Sequence, residues 1–275
     1  MSSRGRRSQL TLALLVVVAV AMVVATLWAA STATDAFHPH NHGADGASDL
    51  QGQIEATDGL AYDVLEEPSE YATLDPNGTV AFHVASSDRP DGIDYRAVES
   101  FVDSGGTLVV FVDDAGEANR LLSFLGSEVR ADTDHLVRDE RRYHRGPAEP
   151  VVATNDTHPL VGDAERLTFG HTVRLEPGEA TVLAGSSERS YLAEWAGARP
   201  AAADRAHGPW PVATEESLGE GRVVVVGTAD VFTNGLLDET DNARFLAALP
   251  GDAELVVFDA PGTTGTPPLA SVSGR

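Results

Sequence analysis

The stretch from Gly219 to Leu249, GEGRVVVVGTADVFTNGLLDETDNARFLAAL, constrains the fold more than any other. Two glycines (Gly219, Gly221) make a turn that leads into the unbroken valine run Val223 to Val226. A β-branched run bounded by glycines reads as a strand buried on both faces, which belongs in a parallel sheet covered by helices. Thr228, Asp230, Thr233 and Asn234 follow as a polar mouth, and a helix is expected from about Asn242 to Leu249. In such sheets, ligands bind at the carboxyl ends of the strands. Gly219-x-Gly221 precedes its strand, whereas a dinucleotide fingerprint follows one, so it is a hairpin turn and not a phosphate loop.

The same pattern recurs upstream. Ser48 can cap a helix with Leu50 and Ile54 on one face, and Gly59 then leads to a strand at Tyr62 to Leu65. Thr79 to Ala85 is a strand, and Asp94 can cap a helix running to Ser104 with Ala97, Val98, Phe101 and Val102 inward. Gly105-Gly106 ends that helix, Thr107 to Val112 is a second buried strand, and Gly116 to Gly126 is another helix. Arg130 to Pro150 is polar and arginine-rich, and is expected as an excursion over the surface. From Val151 to Glu216, short alternating segments read as antiparallel hairpins, and Glu254 to Phe258 completes the sheet. The resulting expectation is an α/β domain over residues 47–259, with a β-rich insertion at about 127–216 and a disordered Pro/Gly/Thr/Ser tail at 260–275.

Composition narrows the setting. The chain has 42 acids against 19 bases for a net charge of -23; every base is arginine, and there is no lysine or cysteine. A chain of this kind stays soluble at multimolar salt, where screening removes the self-repulsion; the alternative is an acidic surface for a cationic partner. Nucleic acid is excluded as a partner by charge. Without cysteine there is no disulfide, thiolate metal site or cysteine nucleophile. At the N-terminus, Arg4, Arg6 and Arg7 precede the uncharged run Leu10 to Ala30. That length spans a bilayer, and the acids beyond it place residues 1–9 in the cytoplasm and the domain outside, with membrane proteins as expected partners. A cleaved signal peptide is the alternative. Residues 31–46 then form a linker in which His38, His40 and His42 alternate. In an extended strand the three could share a metal; otherwise they are a histidine-rich polar linker.

The segments GGTLVVFVDD (Gly105 to Asp114), NRLLSFLG (Asn119 to Gly126), THPLV (Thr157 to Val161), GEGRVVVVGTADVFTN and DNARFLAAL (Asp241 to Leu249) together resemble the membrane-anchored haloarchaeal proteins carrying domain of unknown function 4350. The resemblance covers roughly Asn41 to Asp259 and implies a flavodoxin-like, class I glutamine amidotransferase-like fold, with no established activity. Active amidotransferases carry a cysteine nucleophile on a strand-to-helix turn. Here the loop after Thr79 to Ala85 offers only Ser86 and Ser87, so amidotransfer by that mechanism is excluded.

With parallel strands, Ser86, Ser87, Asp88, Asp113, Asp114, Thr228, Asp230 and Asn234 emerge at one edge. Carboxylates there can hold a hard cation or act as an acid–base pair. They can equally cap helices and make turns. Ser86, Asp113, Asp114, Asp230 and Asn234 are the candidate ligand-binding set. No G-x-S-x-G elbow is present, since Gly46-Ala47-Ser48-Asp49-Leu50 in the linker lacks the final glycine, and His83, His158 and His171 have no acid–base partner visible in the sequence. Asn77-Gly78-Thr79 and Asn155-Asp156-Thr157 are glycosylation sequons. The functional expectation is a non-catalytic binding or interaction domain on the outer face of a halophile's membrane, requiring no cofactor. The alternative is a metal-dependent or carboxylate-based hydrolase at the carboxyl edge.

Overall fold

The computed structural model describes residues 35–88, 93–194 and 207–259. In chain order the regular elements are α1 (Ser48–Glu55), β1 (Ala61–Val64), β2 (Thr79–Ala85), α2 (Arg96–Asp103), β3 (Thr107–Val112), α3 (Ala115–Phe124) and β4 (Arg130–Arg138). They continue with β5 (Val151–Thr154), β6 (Arg166–Thr168), β7 (Val173–Glu176), β8 (Thr181–Gly185) and β9 (Tyr191–Glu194). The last are β10 (Pro211–Leu218), β11 (Gly221–Val226), α4 (Asn242–Ala248) and β12 (Leu255–Asp259). One sheet holds nine strands in the order β1-β12-β2-β3-β11-β10-β8-β5-β6, and a second holds three in the order β7-β4-β9.

Alternation along the buried strands divides the core in two. Val80, Phe82, Val84, Val109, Phe111, Val224, Val226, Val256 and Phe258 point to one face, where α1 and α4 add Leu50, Ile54, Phe245 and Leu246. Ala81, Leu108, Val110, Val223, Val225 and Val257 point to the other, beneath Val98, Phe101 and Val102 of α2 and Leu121 and Leu122 of α3. Residues at i and i+2 share a face of a strand, so an unbroken apolar run is what two covered faces require. Beyond α3, the same second face is covered by the small sheet through Leu136, Val173 and Leu175. The two sheets meet at Gly227: its carbonyl accepts the Val173 N–H at 2.8 Å and its N–H donates to the Val212 carbonyl at 2.8 Å. A Cβ there would collide with the Val173 carbonyl, so only glycine permits the approach.

This architecture corrects the expected flavodoxin-like or amidotransferase-like parallel sheet with a separate antiparallel insertion. Among the described residues, six of ten strand pairings are antiparallel and four are parallel. The glycine turn at Gly219 and Gly221 folds β10 back antiparallel along β11, and β8, β5 and β6 extend the same sheet from β10. The valine run reports that β11 is buried on both faces; it carries no information about what pairs with its second edge.

Arg130–Pro150 also departs from expectation. Its first nine residues are β4, the middle strand of the small sheet, with Leu136 and Val137 buried. Residues 35–46, expected as a linker, pack against the domain, with the Phe37 ring 5.7 Å from that of Phe232 in an edge-on contact. The expected placement outside a membrane on a single span is likewise not upheld. No helix among the described residues is long and apolar enough to cross a membrane. The segment 10–30 read as that span, and the tail 260–275, lie outside the described residues.

Candidate functional site

Strands β2, β3 and β11 run parallel, so their carboxyl ends bring the loops after Ala85, Val112 and Val226 to one edge. The candidate residues on these loops fall into two groups.

The first group is taken up by the architecture. Asp114 is the N-cap of α3, its carboxylate accepting the Glu117 N–H at 2.8 Å. Thr228 donates its hydroxyl to the Gly170 carbonyl and accepts the Asp230 N–H at 3.0 Å. Asn234 clamps the N-terminal segment to this edge. Its amide donates to the carbonyls of Asn41 (3.1 Å) and Gly43 (2.7 Å) and to Ser48 Oγ (3.2 Å). Its oxygen accepts the Asp49 N–H at 3.0 Å, which supplies a cap to α1 from 185 residues away. Ser48, read as that cap, is the first helical residue instead. Asp241, at the N-cap position of α4, makes no cap bond there and turns its carboxylate to the Glu165 and Arg166 N–H groups.

The second group is Asp113, Asp230 and the neighbouring His171. Asp113 is half-buried, and burial is the main cause that raises its pKa. A hydrogen bond from Ser86 opposes that rise, and repulsion from Asp230, Asp88 and Asp114 adds to it. The Asp230 carboxylate accepts a hydrogen bond from His171, whose Nδ1 lies 3.0 Å from Oδ2; this bond raises the His171 pKa. His171 is 64% exposed and adopts a positive φ of 42°. Non-glycine residues in that region are held there by their surroundings, and such positions cluster at binding sites. The preceding Gly170 is required here because a Cβ would overlap the Asp230 carboxylate. Arg138 and Glu149 also act on His171 with opposite signs. Arg138 Nε is buried without a hydrogen-bond partner among the described residues.

Ser86 offers little as a nucleophile. It is 2% exposed, accepts the Asp88 N–H at 3.3 Å and is engaged with Asp113 rather than with an imidazole. A serine nucleophile needs both exposure and an adjacent base. The three N-terminal histidines do not converge either. His38 is buried with Nδ1 accepting the His40 N–H at 3.0 Å, and burial followed by the His40 charge lowers its pKa, while His42 is exposed. Among the described residues no group of three or more His, Cys, Asp or Glu is placed to hold a metal.

A family model described as domain of unknown function (DUF4350) matches residues 39–249. The chain belongs to this family. Among curated proteins none matches the sequence. Of solved structures, the mmIFT52 N-terminal domain is similar in fold, with a TM-score of 0.51 and 16% identity over 74% of this chain and 88% of that one. A cytoplasmic protein from Salmonella typhimurium LT2 matches with a TM-score of 0.43 and 11% identity, over 76% of this chain and 84% of its own. An exo-β-1,4-mannosidase from Opitutaceae bacterium strain TAV5 matches with a TM-score of 0.33 and 19% identity, over 55% of this chain and 22% of the enzyme. The last two scores are too low to carry any argument, and the first speaks for the fold alone.

This DUF4350 domain pairs its histidines with acids that local sequence does not reveal. His83 Nδ1 lies 2.7 Å from Asp259 Oδ2, which also accepts the Tyr71 hydroxyl at 3.1 Å, all three side chains being buried. His83 and Asp259 are register partners on β2 and β12, so only the strand order could have disclosed the pair. His158 Nε2 is 3.9 Å from Glu215, and His171 meets Asp230 across 59 residues. For His171 the usable signal was the glycine before it and the short polar loop around it.

Proposed function

We propose that this DUF4350 protein is a non-catalytic binding domain that receives a ligand or a partner segment at the carboxyl edge of β2, β3 and β11. The observation carrying this reading is the division of the edge. Asp114, Thr228 and Asn234 are occupied by caps and clamps, whereas Asp113, held by Ser86, and the paired Asp230 and His171 are not used as caps or clamps. The Asp113 carboxylate is crowded by the like charges of Asp230, Asp88 and Asp114, which favours a ligand bringing ammonium, guanidinium or other donor groups. Neither Ser86 nor His171 has the neighbour that nucleophilic catalysis requires. The lysine-free composition and the net charge of -23 support function at high salt, in keeping with a haloarchaeal source.

A second reading is hydrolysis by a carboxylate pair. It is favoured by the raised pKa of Asp113 beside the His171–Asp230 pair, since environments that separate two ionisable groups can divide acid from base roles. One experiment separates the two. The protein is screened in molar potassium chloride against polyamines, basic peptides, divalent cations, nucleotides and sugars, reading the thermal midpoint and turnover of chromogenic esters, phosphates and glycosides together. A ligand raises the midpoint in proportion to its binding of the folded state. A shift without turnover supports the binding domain. Turnover lost in both Asp113→Asn and Asp230→Asn refutes it in favour of the hydrolase.

A further inference from the structure

The geometry points to a built oxyanion site that none of the carboxyl-edge candidates lines: the arginine-lined groove between the turn 141–143 and strands β5 and β6. The groove is open and has a volume of about 520 Å³, with Arg141, Arg142, Tyr143 and Arg166 around a floor of Val151 to Ala153. Glu165 is the one acid in its lining. Among the described residues Arg96, Arg120, Arg174 and Arg244 spend their guanidinium groups on carboxylates. Among the described residues, the guanidinium groups of Arg141, Arg142 and Arg166 have no carboxylate within ion-pair distance.

The turn that presents them is held from below. Asp139 is fully buried, and its carboxylate accepts the N–H groups of Arg141 (2.7 Å) and Arg142 (2.9 Å) as well as the Ser187 hydroxyl. The Asp139 N–H donates to the Pro147 carbonyl at 3.0 Å, and the Val151 N–H donates to the Arg142 carbonyl at 2.9 Å. On the facing side, Arg166 is fixed by its own N–H, which donates to Asp241. The guanidinium groups therefore stand on ordered backbone with their forks unspent. That arrangement suits the oxygens of a phosphate, sulfate or carboxylate, which a planar fork binds through paired hydrogen bonds. Tyr143, 44% exposed, offers a ring face to a sugar attached to such a group.

The test is calorimetric titration of the whole protein in molar potassium chloride with inorganic phosphate and with a phosphorylated sugar. The site requires saturable binding of at least one of them. Binding should weaken about tenfold or more in Arg142→Gln and in Arg166→Gln and remain unchanged in Arg222→Gln on β11. Tighter binding of the sugar phosphate, with the advantage lost in Tyr143→Ala, assigns the groove to a ring-bearing ester. Equal affinity assigns it to the free oxyanion. No saturable binding of either probe overturns the site. So does binding that survives both arginine substitutions in protein whose thermal midpoint is unchanged.

Discussion

The parallel strands β1, β12, β2, β3 and β11 and the antiparallel strands beyond them share a sheet, yet they are held together by different means. In the parallel part the interior is aliphatic and aromatic except for the buried His83–Asp259–Tyr71 cluster. Val223 to Val226 are all fully buried, and the Phe232 ring meets Phe111 at 4.8 Å and Phe258 at 5.4 Å edge-on. In the antiparallel part the buried ties are polar and run between residues distant in sequence. Asn242, fully buried on α4, accepts the Thr168 N–H at 2.9 Å and donates to the Thr168 and Leu236 carbonyls at 2.9 and 2.8 Å. It thereby satisfies the open edge of β6 as a strand would. Asp139 ties the arginine turn to Ser187, and Ser186 bonds Ser190 at 2.7 Å and accepts the Trp210 N–H at 2.8 Å. The lesson is that apolar burial writes a local periodic signal, whereas a polar tie between distant residues writes none.

The largest effect that would sharpen this contrast is in the parallel part. Phe232→Ala removes a fully buried ring and should cost about 4 kcal/mol of stability in denaturant unfolding. In the antiparallel part, Asn242→Ala strands three buried backbone groups and should cost about 3 kcal/mol. Asn242→Leu, which fills the volume but makes no bonds, should rescue little. A full rescue would show that this region too is held by apolar packing and would break the comparison. Asn234→Ala, which releases residues 41–49 from the carboxyl edge, should cost about 2 kcal/mol and speed amide exchange at Asp49.

These polar ties also mark the limit of what the sequence could disclose. The strands Thr79–Ala85 and Thr107–Val112 were legible to the residue, because both are buried on two faces and end at glycine or polar turns. The hairpin at Gly219 and Gly221 was legible as a turn. Strand order was not, and with it went the mixed character of the sheet. β4 was read as surface because the arginines and aspartates of its sequence conceal the buried pair Leu136 and Val137. At the site, Asp113 and Asp230 were named from their strand-end positions. His171 was seen but left without a partner, since Asp230 lies on another strand's loop.

Two smaller effects are read through pH. The raised pKa of Asp113 means that the folded chain holds this proton more tightly than the unfolded chain. Its contribution therefore favours folding below the ordinary carboxylate range and is lost as pH rises through the raised value. Asp113→Asn should match the wild type in acid and exceed its thermal midpoint at neutral pH. His171 also has a raised pKa, here through its hydrogen bond to Asp230. Its contribution is present below the ordinary histidine pKa and fades as pH rises through the raised value. A His171→Gln variant should lack that step in a midpoint-against-pH profile, and the difference should be the smallest of the set because the ring is largely exposed.

The division of the carboxyl edge into residues that cap or clamp and residues that do not is tested most directly by comparing two aspartates. The midpoint shift produced by basic peptides and polyamines in molar potassium chloride is measured in the wild type, Asp114→Asn and Asp230→Asn. The account predicts a shift in the wild type that persists in Asp114→Asn, whose amide oxygen can still accept the Glu117 N–H and cap α3. The shift disappears in Asp230→Asn. A flat response in the wild type, or an undiminished shift in Asp230→Asn, contradicts it.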